Sequence, residues 1–333
     1  MSRAAVAFPG RGSYGPRSLG SLPAAHRWVR RADELRTGAG LPTLTSLDGA
    51  AQFDPGVHLR PTNAWPLIFL TSLLDAERIA DDHEVVVVIA SSTGWYTALA
   101  ASGALGFDDA FRLVQEMAGA AEAPLTDGEA GELIYPLADE AWQPDAGRGA
   151  QVRSALSRAD GSAGLAVDLG AFAVIGGTIA ALDRIGSELA PVAVSERTYP
   201  LRLPGGDGWH TPLRRDAADR VAGSVGELSW DRPNVTLVDD RGVRFTPWST
   251  DPAELATQSL RGQAGSTYDF AAGLRVALRE YAPDVVLLPG PGASLGAACA
   301  QVIVAEGYRG LRSRAEFEEA QSGAAPILLS MRR

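Results

Sequence analysis

The spacing of apolar and polar positions predicts strands and helices in turn along the chain. Ala4–Phe8 is a short apolar run, and Val85–Ile89 is five consecutive β-branched residues. Both have the length and uniformity of strands buried on two faces. Between them, Ser21–Leu35 predicts a helix with Arg27, Arg30 and Arg31 on its solvated side, and Trp65–Ile79 a strongly apolar helix with Pro66 in its first turn. After Val85–Ile89 the small residues Ala90–Gly94 predict a tight turn into an Ala- and Leu-rich helix. Phe107-Asp108-Asp109 opens the next helix, with its acids at the positive end of the helix dipole. Ala120–Glu132, rich in Ala, Gly, Glu and Pro, reads as a linker. Leu133–Leu137 then predicts a strand, Ala150–Ala159 a helix, Gly164–Val167 and Phe172–Ile175 strands, Thr178–Leu189 a helix and Arg197–Leu203 a strand. That βαββαβ order is the order of a ferredoxin-like unit. The last third predicts a strand at Val235–Val238, helices at Leu255–Leu260 and Phe270–Tyr281, and a second buried, parallel-type strand at Asp284–Pro289. The pattern therefore places a small unit, residues 129–203, inside a larger α/β unit made of residues 1–128 and 204–333.

Composition narrows the chemistry. A chain of 333 residues with 46% hydrophobic and 21% charged residues can bury a sizeable core. Its net charge of −10 argues against a nucleic-acid binder or a protein of anionic membrane surfaces. All 30 basic residues are arginine, which excludes a Schiff-base lysine and a P-loop lysine. The one cysteine, Cys299, lies in the apolar run AACAQVIVA and reads as a buried small hydrophobe. The four histidines show no metal-ligand spacing, and the chain carries neither a signal-peptide pattern nor a run of membrane-spanning length. A soluble, cytoplasmic protein with no permanently bound cofactor or metal is the expectation.

Three stretches carry candidate chemistry. In Val85–Gly103 (VVVVIASSTGWYTALAASG), a buried strand, a turn of small residues and a helix have the layout of a nucleophile elbow. Such a turn lifts Ser92 to the carboxyl edge of a parallel sheet, where the next backbone N–H and the helix N-terminus favour an oxyanion. An ordinary strand–helix unit with serines in its loop has the same local pattern. Gly10-Arg11-Gly12-Ser13-Tyr14-Gly15 follows the first strand and fits either an oxyanion-facing loop or a phosphate cradle, although its spacing matches neither dinucleotide nor P-loop patterns. Gly290–Gly296 follows the last strand and resembles a dinucleotide loop only loosely, because no βαβ unit follows it.

These stretches together resemble the malonyl-CoA:acyl carrier protein transacylases and the related acyltransferases of polyketide synthases. FPGRGSYG (Phe8–Gly15) is similar to that family's FPGQGSQ. ASSTGWYTALAASGALGFDDAFRLV (Ala90–Val114) is similar to its GHSxGEYTAL-x-AAGALSFEDALRLV, WHTPL (Trp209–Leu213) to its FHSPLM, and LLPGPGASLG (Leu287–Gly296) to its VEVGPGKVLTG. The resemblance covers nearly the whole chain in the same order. It implies an α/β-hydrolase-like large domain with a parallel sheet and an inserted ferredoxin-like small domain. It also implies Ser92 as nucleophile and His210 as general base and acid in a ping-pong transfer. The backbone N–H groups of Arg11 and Thr93 would form the oxyanion hole. A main-chain carbonyl would orient the histidine, with Gln258 as the candidate position.

Where the chain departs from the family, the departures cluster around the acyl group. Ser91 replaces the family's histidine before the nucleophile, and Trp95 its glutamate after it. Trp65 replaces a pocket glutamine, and Trp209 precedes the catalytic histidine. Met117 stands where malonyl enzymes have the arginine that grips the free carboxylate, and a bidentate arginine is the natural clamp for that group. An acyl pocket of Trp65, Ser91, Trp95, Met117 and Trp209 suits cargo without a terminal carboxylate, acyl, aminoacyl or dipeptidyl, moved between carrier proteins in polyketide or macrolactam biosynthesis. Two alternatives remain at this point: hydrolysis of stalled acyl chains, and a malonyl enzyme whose clamp has moved, for instance to Arg11. The implied partners are acyl carrier proteins presenting phosphopantetheine thioesters to a monomeric enzyme. Candidate docking cations are Arg148, Arg153 and Arg158 on the small unit, and Arg214 and Arg215 after the histidine.

Overall fold

The apolar strands predicted at Ala4–Phe8 and Val85–Ile89 lie side by side. In the computed structural model, which describes residues 1–124, 129–194 and 196–332, β1 (Arg3–Phe8) pairs in parallel with β2 (Glu84–Ala90). The further strands, in chain order, are β3 (Ala130–Pro136), β4 (Ala163–Asp168), β5 (Phe172–Thr178), β6 (Val192–Val194), β7 (Arg197–Tyr199) and β8 (Leu201–Arg202). They continue with β9 (Leu237–Val238), β10 (Arg244–Phe245), β11 (Tyr268–Asp269), β12 (Val285–Leu288) and β13 (Leu328–Ser330). The larger sheet has the order β10-β9-β2-β1-β12-β13 and is parallel except for β10. Its central strand β1 alternates between two cores. Ala4, Val6 and Phe8 pack on one side with the helices Pro61–Asp82 and Phe107–Glu122; Ala5 and Ala7 pack on the other with Phe270–Val276 and Gly296–Ala305. Burial on both faces is why these strands read as unbroken apolar runs. Cys299 lies in the second core, and burial pushes its thiol pKa up.

The smaller sheet has the order β11-β4-β5-β3-β8, with the helices Ala146–Ser157 and Ile179–Glu188 packed over an apolar core of its own. Strands β8-β3-β5-β4 and those two helices form the ferredoxin-like arrangement that the residue pattern predicts. β11 extends it from outside residues 129–203, pairing in parallel with β4 at Tyr268 and Val167. The predicted strand Arg197–Leu203 is divided into β7 and β8, because Pro200 has no N–H to offer a ladder.

Several boundaries differ from the sequence expectation for physical reasons. The helix predicted at Ser21–Leu35 spans Arg27–Gly38, started by His26, whose ring nitrogen accepts from the Trp28 N–H. The apolar helix runs Pro61–Asp82, so Pro66 lies inside it and not in its first turn. The N–H that Pro66 lacks would have met the Thr62 carbonyl; that oxygen accepts instead from Arg36 Nη1 at 2.7 Å and Gln115 Nε2 at 3.2 Å. The predicted linker Ala120–Glu132 is partly structured: the preceding helix continues to Glu122 and β3 starts at Ala130. Its residues 125–128 lie outside the described residues. Among the described residues no helix is long and apolar enough to cross a membrane.

Candidate active site

β1, β2 and β12 are parallel neighbours, so their carboxyl ends deliver the loops at Gly10, Ser92 and Gly290 to one edge of the sheet. Close backbone approach explains the small residues there. The Ser91 N–H donates to the Phe8 carbonyl at 2.9 Å. A Cβ on Gly94 would lie 2.6 and 2.7 Å from the Phe8 and Pro9 carbonyl oxygens, and one on Gly10 would lie 2.5 Å from the Ser91 oxygen. Pressed against β1 in this way, the turn holds Ser92 at φ 53°, a left-handed conformation uncommon for a residue with a Cβ. The helix Gly94–Ala101 follows directly. This is the strained strand-to-helix geometry of a nucleophile elbow. The Gly290 loop does not form a nucleotide cradle: a Cβ on Gly290 would meet Arg332 and Asp75, and the Gly290 N–H donates to Asp75.

His210 arrives from the opposite side on the loop after β8. Gly206 and Gly208 let that loop lie against β3, where a Cβ on Gly206 would sit 2.6 Å from the Glu132 nitrogen and one on Gly208 would sit 3.2 Å from Ala130 Cβ. His210 is also left-handed, at φ 61°, and its N–H donates to the Ala264 carbonyl at 3.0 Å. Its Nδ1 lies 2.6 Å from the Gln263 carbonyl oxygen and its Nε2 lies 2.6 Å from Ser92 Oγ. A carbonyl only accepts, so Nδ1 carries the ring proton and Nε2 presents its lone pair to the serine hydroxyl. The orienting carbonyl thus belongs to Gln263 and not to Gln258. Gln258 lies in the wide helical turn Gln258–Gly262 and donates its side chain to Asp240 Oδ1 at 2.8 Å. Tyr268 packs its ring 5.1 Å from the imidazole and donates its hydroxyl to the Ala90 carbonyl, tying the end of β2 to the histidine.

Burial pushes the His210 pKa down to about 4, partly opposed by the Gln263 hydrogen bond and by Asp207. The imidazole is therefore neutral through the mildly acidic range. Because the protonated fraction grows only as pH falls through the folded value, the rate of Ser92 acylation is expected to stay level from pH 8 to roughly 5.5 and to fall towards pH 4. A pH profile of single-turnover acylation checks this; a midpoint near 6.5 would contradict the buried imidazole.

The remaining sequence-derived residues divide. The N–H groups of Arg11 and Thr93 have no acceptor among the described residues, as donors awaiting an oxyanion would. Ser91 is buried in the turn. Trp65 meets Trp209 edge-on at 5.8 Å and lies 6.5 Å from Tyr96, and its Nε1 has no partner among the described residues. Met117 is fully buried in the same core. Trp95 turns elsewhere: it donates to Ser259 Oγ at 2.8 Å and packs near Phe245, so it does not join the Trp65–Trp209 pair. Two proposed docking cations are also committed to the protein's own acceptors. Arg214 is buried and donates to the carbonyls of Asp207 and Ala123. Arg148 donates to the Ala138 carbonyl and pairs with Asp145. Arg153, Arg158 and Arg215 are exposed, with Arg158 paired to Glu188.

The sequence reading missed Gln263, Tyr268, Glu132 and Asp207. A main-chain carbonyl leaves no mark on residue identity, and Tyr268 fell between the predicted helices Leu255–Leu260 and Phe270–Tyr281. Glu132 did leave a signal, as an acid bordering an apolar strand, and Asp207 another, within the PGGDG loop before the histidine.

No family model matches the chain. The malonyl CoA-acyl carrier protein transacylase of Escherichia coli O157:H7 is 25% identical over 247 residues, covering 73% of this chain and 76% of that protein. Among solved structures, a malonyl-transacylase in complex with a type II polyketide synthase acyl-carrier protein matches with TM-score 0.74 at 18% identity, covering 100% of this chain and 96% of the other. The acyltransferase domain from the second module of the salinomycin polyketide synthase matches with TM-score 0.72 at 21% identity, covering 100% of this chain and 69% of that one. The chain is thus similar in sequence to a malonyl-CoA:acyl carrier protein transacylase and shares the fold of such transacylases and of a polyketide synthase acyltransferase domain, with an elbow serine facing a histidine.

Proposed function

We propose that this chain is an acyltransferase that moves a non-carboxylated acyl group, aminoacyl and dipeptidyl groups included, between carrier-protein thioesters in polyketide or macrolactam biosynthesis. The observation that carries the transfer chemistry is the relay Ser92 Oγ–His210–Gln263 carbonyl, with 2.6 Å at each step. Ser92 Oγ attacks the thioester carbonyl carbon while its proton passes to Nε2 of His210. The C–S bond breaks, and the departing sulfur takes that proton, leaving acyl-Ser92. A second thiol then reverses the sequence, giving up its proton to His210 and taking the acyl group. The phosphopantetheine arm brings the thioester and leaves with the thiol; no bound cofactor takes part. The carrier-protein partner is carried over from the relatives named above, with Arg153, Arg158 and Arg215 as the exposed docking cations.

Support for cargo without a carboxylate comes from the state of the cations around the histidine. Arg11 is already paired with Glu132 and donates to the Gly205 carbonyl at 2.9 Å, and Arg214 is spent on backbone carbonyls. Met117 offers no charge. A relocated malonyl clamp at Arg11 would have to break the Glu132 pair and leave that buried acid alone, a costly exchange. The test is to incubate the protein with propionyl, isovaleryl and malonyl pantetheine thioesters and weigh the adduct on Ser92. Propionyl and isovaleryl adducts, stable until a holo carrier protein is added, are the expected result. Efficient malonyl labelling overturns the cargo assignment, and free acid released without an acceptor makes the protein a hydrolase.

A further inference from the structure

Two consecutive carbonyls grip His210: that of Gln263 faces the ring Nδ1 at 2.6 Å, and that of Ala264 takes the main-chain N–H at 3.0 Å. Both lie at the exit of the wide helical turn Gln258–Gly262, where the last carbonyls of a helix lack partners within it. Wide turns of this kind are uncommon and concentrate at functional sites. Wherever this one moves, the imidazole follows.

Buried side chains from two other elements hold the turn. Trp95, the second residue of the elbow helix Gly94–Ala101, donates its indole N–H to Ser259 Oγ at 2.8 Å. Its main-chain N–H donates to the Ser92 carbonyl at 2.9 Å, so one residue touches both the nucleophile's turn and the histidine's support. From Ser259 the link continues to Gln263, whose side-chain amide reaches the Ser259 carbonyl at 3.5 Å. Asp240, in the turn between β9 and β10, accepts from Gln258 Nε2 at 2.8 Å. The Gln258 amide oxygen lies over Gly262, the residue before Gln263, where a Cβ would collide with it. Trp95, Ser259, Asp240, Gln258 and Gln263 are all buried, so a partner lost here is not readily replaced by water.

We propose that Trp95, through Ser259, and Asp240, through Gln258, are positioning residues: they fix the Gln258–Gly262 turn so that the Gln263 carbonyl holds His210 against Ser92. This rests on the acyl-transfer reading above and adds to it two side chains that act through others. Trp95 carries the larger share. Being on the elbow helix, it sets Ser92 and His210 relative to each other, whereas Asp240 sets only the turn.

The experiment uses Trp95→Phe, which deletes the N–H donor but keeps an aromatic ring near Phe245, and Ser259→Ala, which deletes the acceptor. Single-turnover acylation of Ser92 is followed by intact mass over a range of isovaleryl pantetheine concentrations, below the melting transition of each variant. The limiting rate is expected to fall about tenfold or more in each, with the half-saturating concentration unchanged, because a misplaced catalytic group loses rate and not binding. The double variant should stay within about threefold of the worse single one, since both changes break the same hydrogen bond. Asp240→Asn, which keeps an acceptor for Gln258, should lose less than Asp240→Ala. Nuclear magnetic resonance of isotope-labelled histidine gives a reading that needs no substrate. The Nδ1 proton of His210, identified by its loss in His210→Asn, should move upfield or broaden in Trp95→Phe and Ser259→Ala. Limiting rates within about twofold of the unaltered protein, or an unmoved Nδ1 signal, overturn the inference and leave ordinary packing contacts. A raised half-saturating concentration with the limiting rate kept overturns it as well. If Trp95→Phe does not fold, Ser259→Ala carries the same comparison. Failure of isovaleryl, propionyl and malonyl thioesters alike to label the unaltered protein removes the transfer reading instead, and the Nδ1 signal then still decides whether the turn is held in this way.

Discussion

Ser92→Ala is expected to abolish the acyl adduct, lowering the acylation rate by about 10⁴ or more, equivalent to roughly 5 kcal/mol of transition-state stabilisation. The change removes one oxygen. It keeps the Cβ, so the strain of holding residue 92 at φ 53° is the same before and after, and melting temperature should hardly move. The partner change needs more care. His210 sits at φ 61°, where alanine gains no local hydrogen bond and asparagine is tolerated, so His210→Asn is the cleaner variant. It should cost nearly as much as the serine change. The double variant should be scarcely worse than either single one, because a nucleophile without its base and a base without its nucleophile both lose the same step. Additive losses across the cycle would mean that the two residues act independently, which their 2.6 Å contact does not allow. Intact-mass detection of the adduct and thermal melts of all three variants check the set.

Gly94→Ala should damage the protein more broadly, through the fold. A Cβ at residue 94 would stand 2.6 Å from the Phe8 oxygen, 2.7 Å from the Pro9 oxygen and 2.9 Å from the Phe8 carbonyl carbon. All three are backbone atoms of the central strand and its exit, so no side chain can swing away. The elbow helix must lift off β1, at a cost of roughly 3 kcal/mol. The same movement draws Ser92 away from His210, which is anchored independently through Gln263 and Ala264. Lower stability and lower acylation are therefore expected together. The control is Gly119→Ala, at an exposed position inside the helix Phe107–Glu122 where, among the described residues, nothing beyond the helix's own backbone comes within 4 Å of the new Cβ. There alanine should stabilise by about 0.5–1 kcal/mol through better helix propensity. Chemical denaturation of both variants measures the contrast, and an unchanged midpoint for Gly94→Ala would falsify the tight elbow packing.

These two positions also mark how far the chain can be read without its fold. Gly94 and Ser92 stand out in sequence because close backbone approach and a left-handed turn admit few residue types. His210 stands out only through its WHTPL surroundings. Gln263 could not be found, since every residue carries a carbonyl and only position selects one. Gln258 was chosen as the nearest plausible site, and it lies five residues early along the same segment. The aromatic substitutions were legible as a group but not as a pocket, because direction separates Trp65 and Trp209 from Trp95. Arg214 read as a surface cation, and burial turned it into a brace for two loops.

By itself, the sequence determined the parallel sheet, the inserted βαββαβ unit, the elbow and the identity of its serine. Those follow from periodicity, β-branching and the few residues that fit a left-handed turn, all local properties of the chain. Only the tertiary structure decided which carbonyl orients the histidine, which tryptophans meet, and that Arg11, Glu132 and Asp207 share one buried site. Those pairings join segments 53, 121 and as many as 196 residues apart. Their physics is distance and burial, and neither is written in the spacing of residues along a chain.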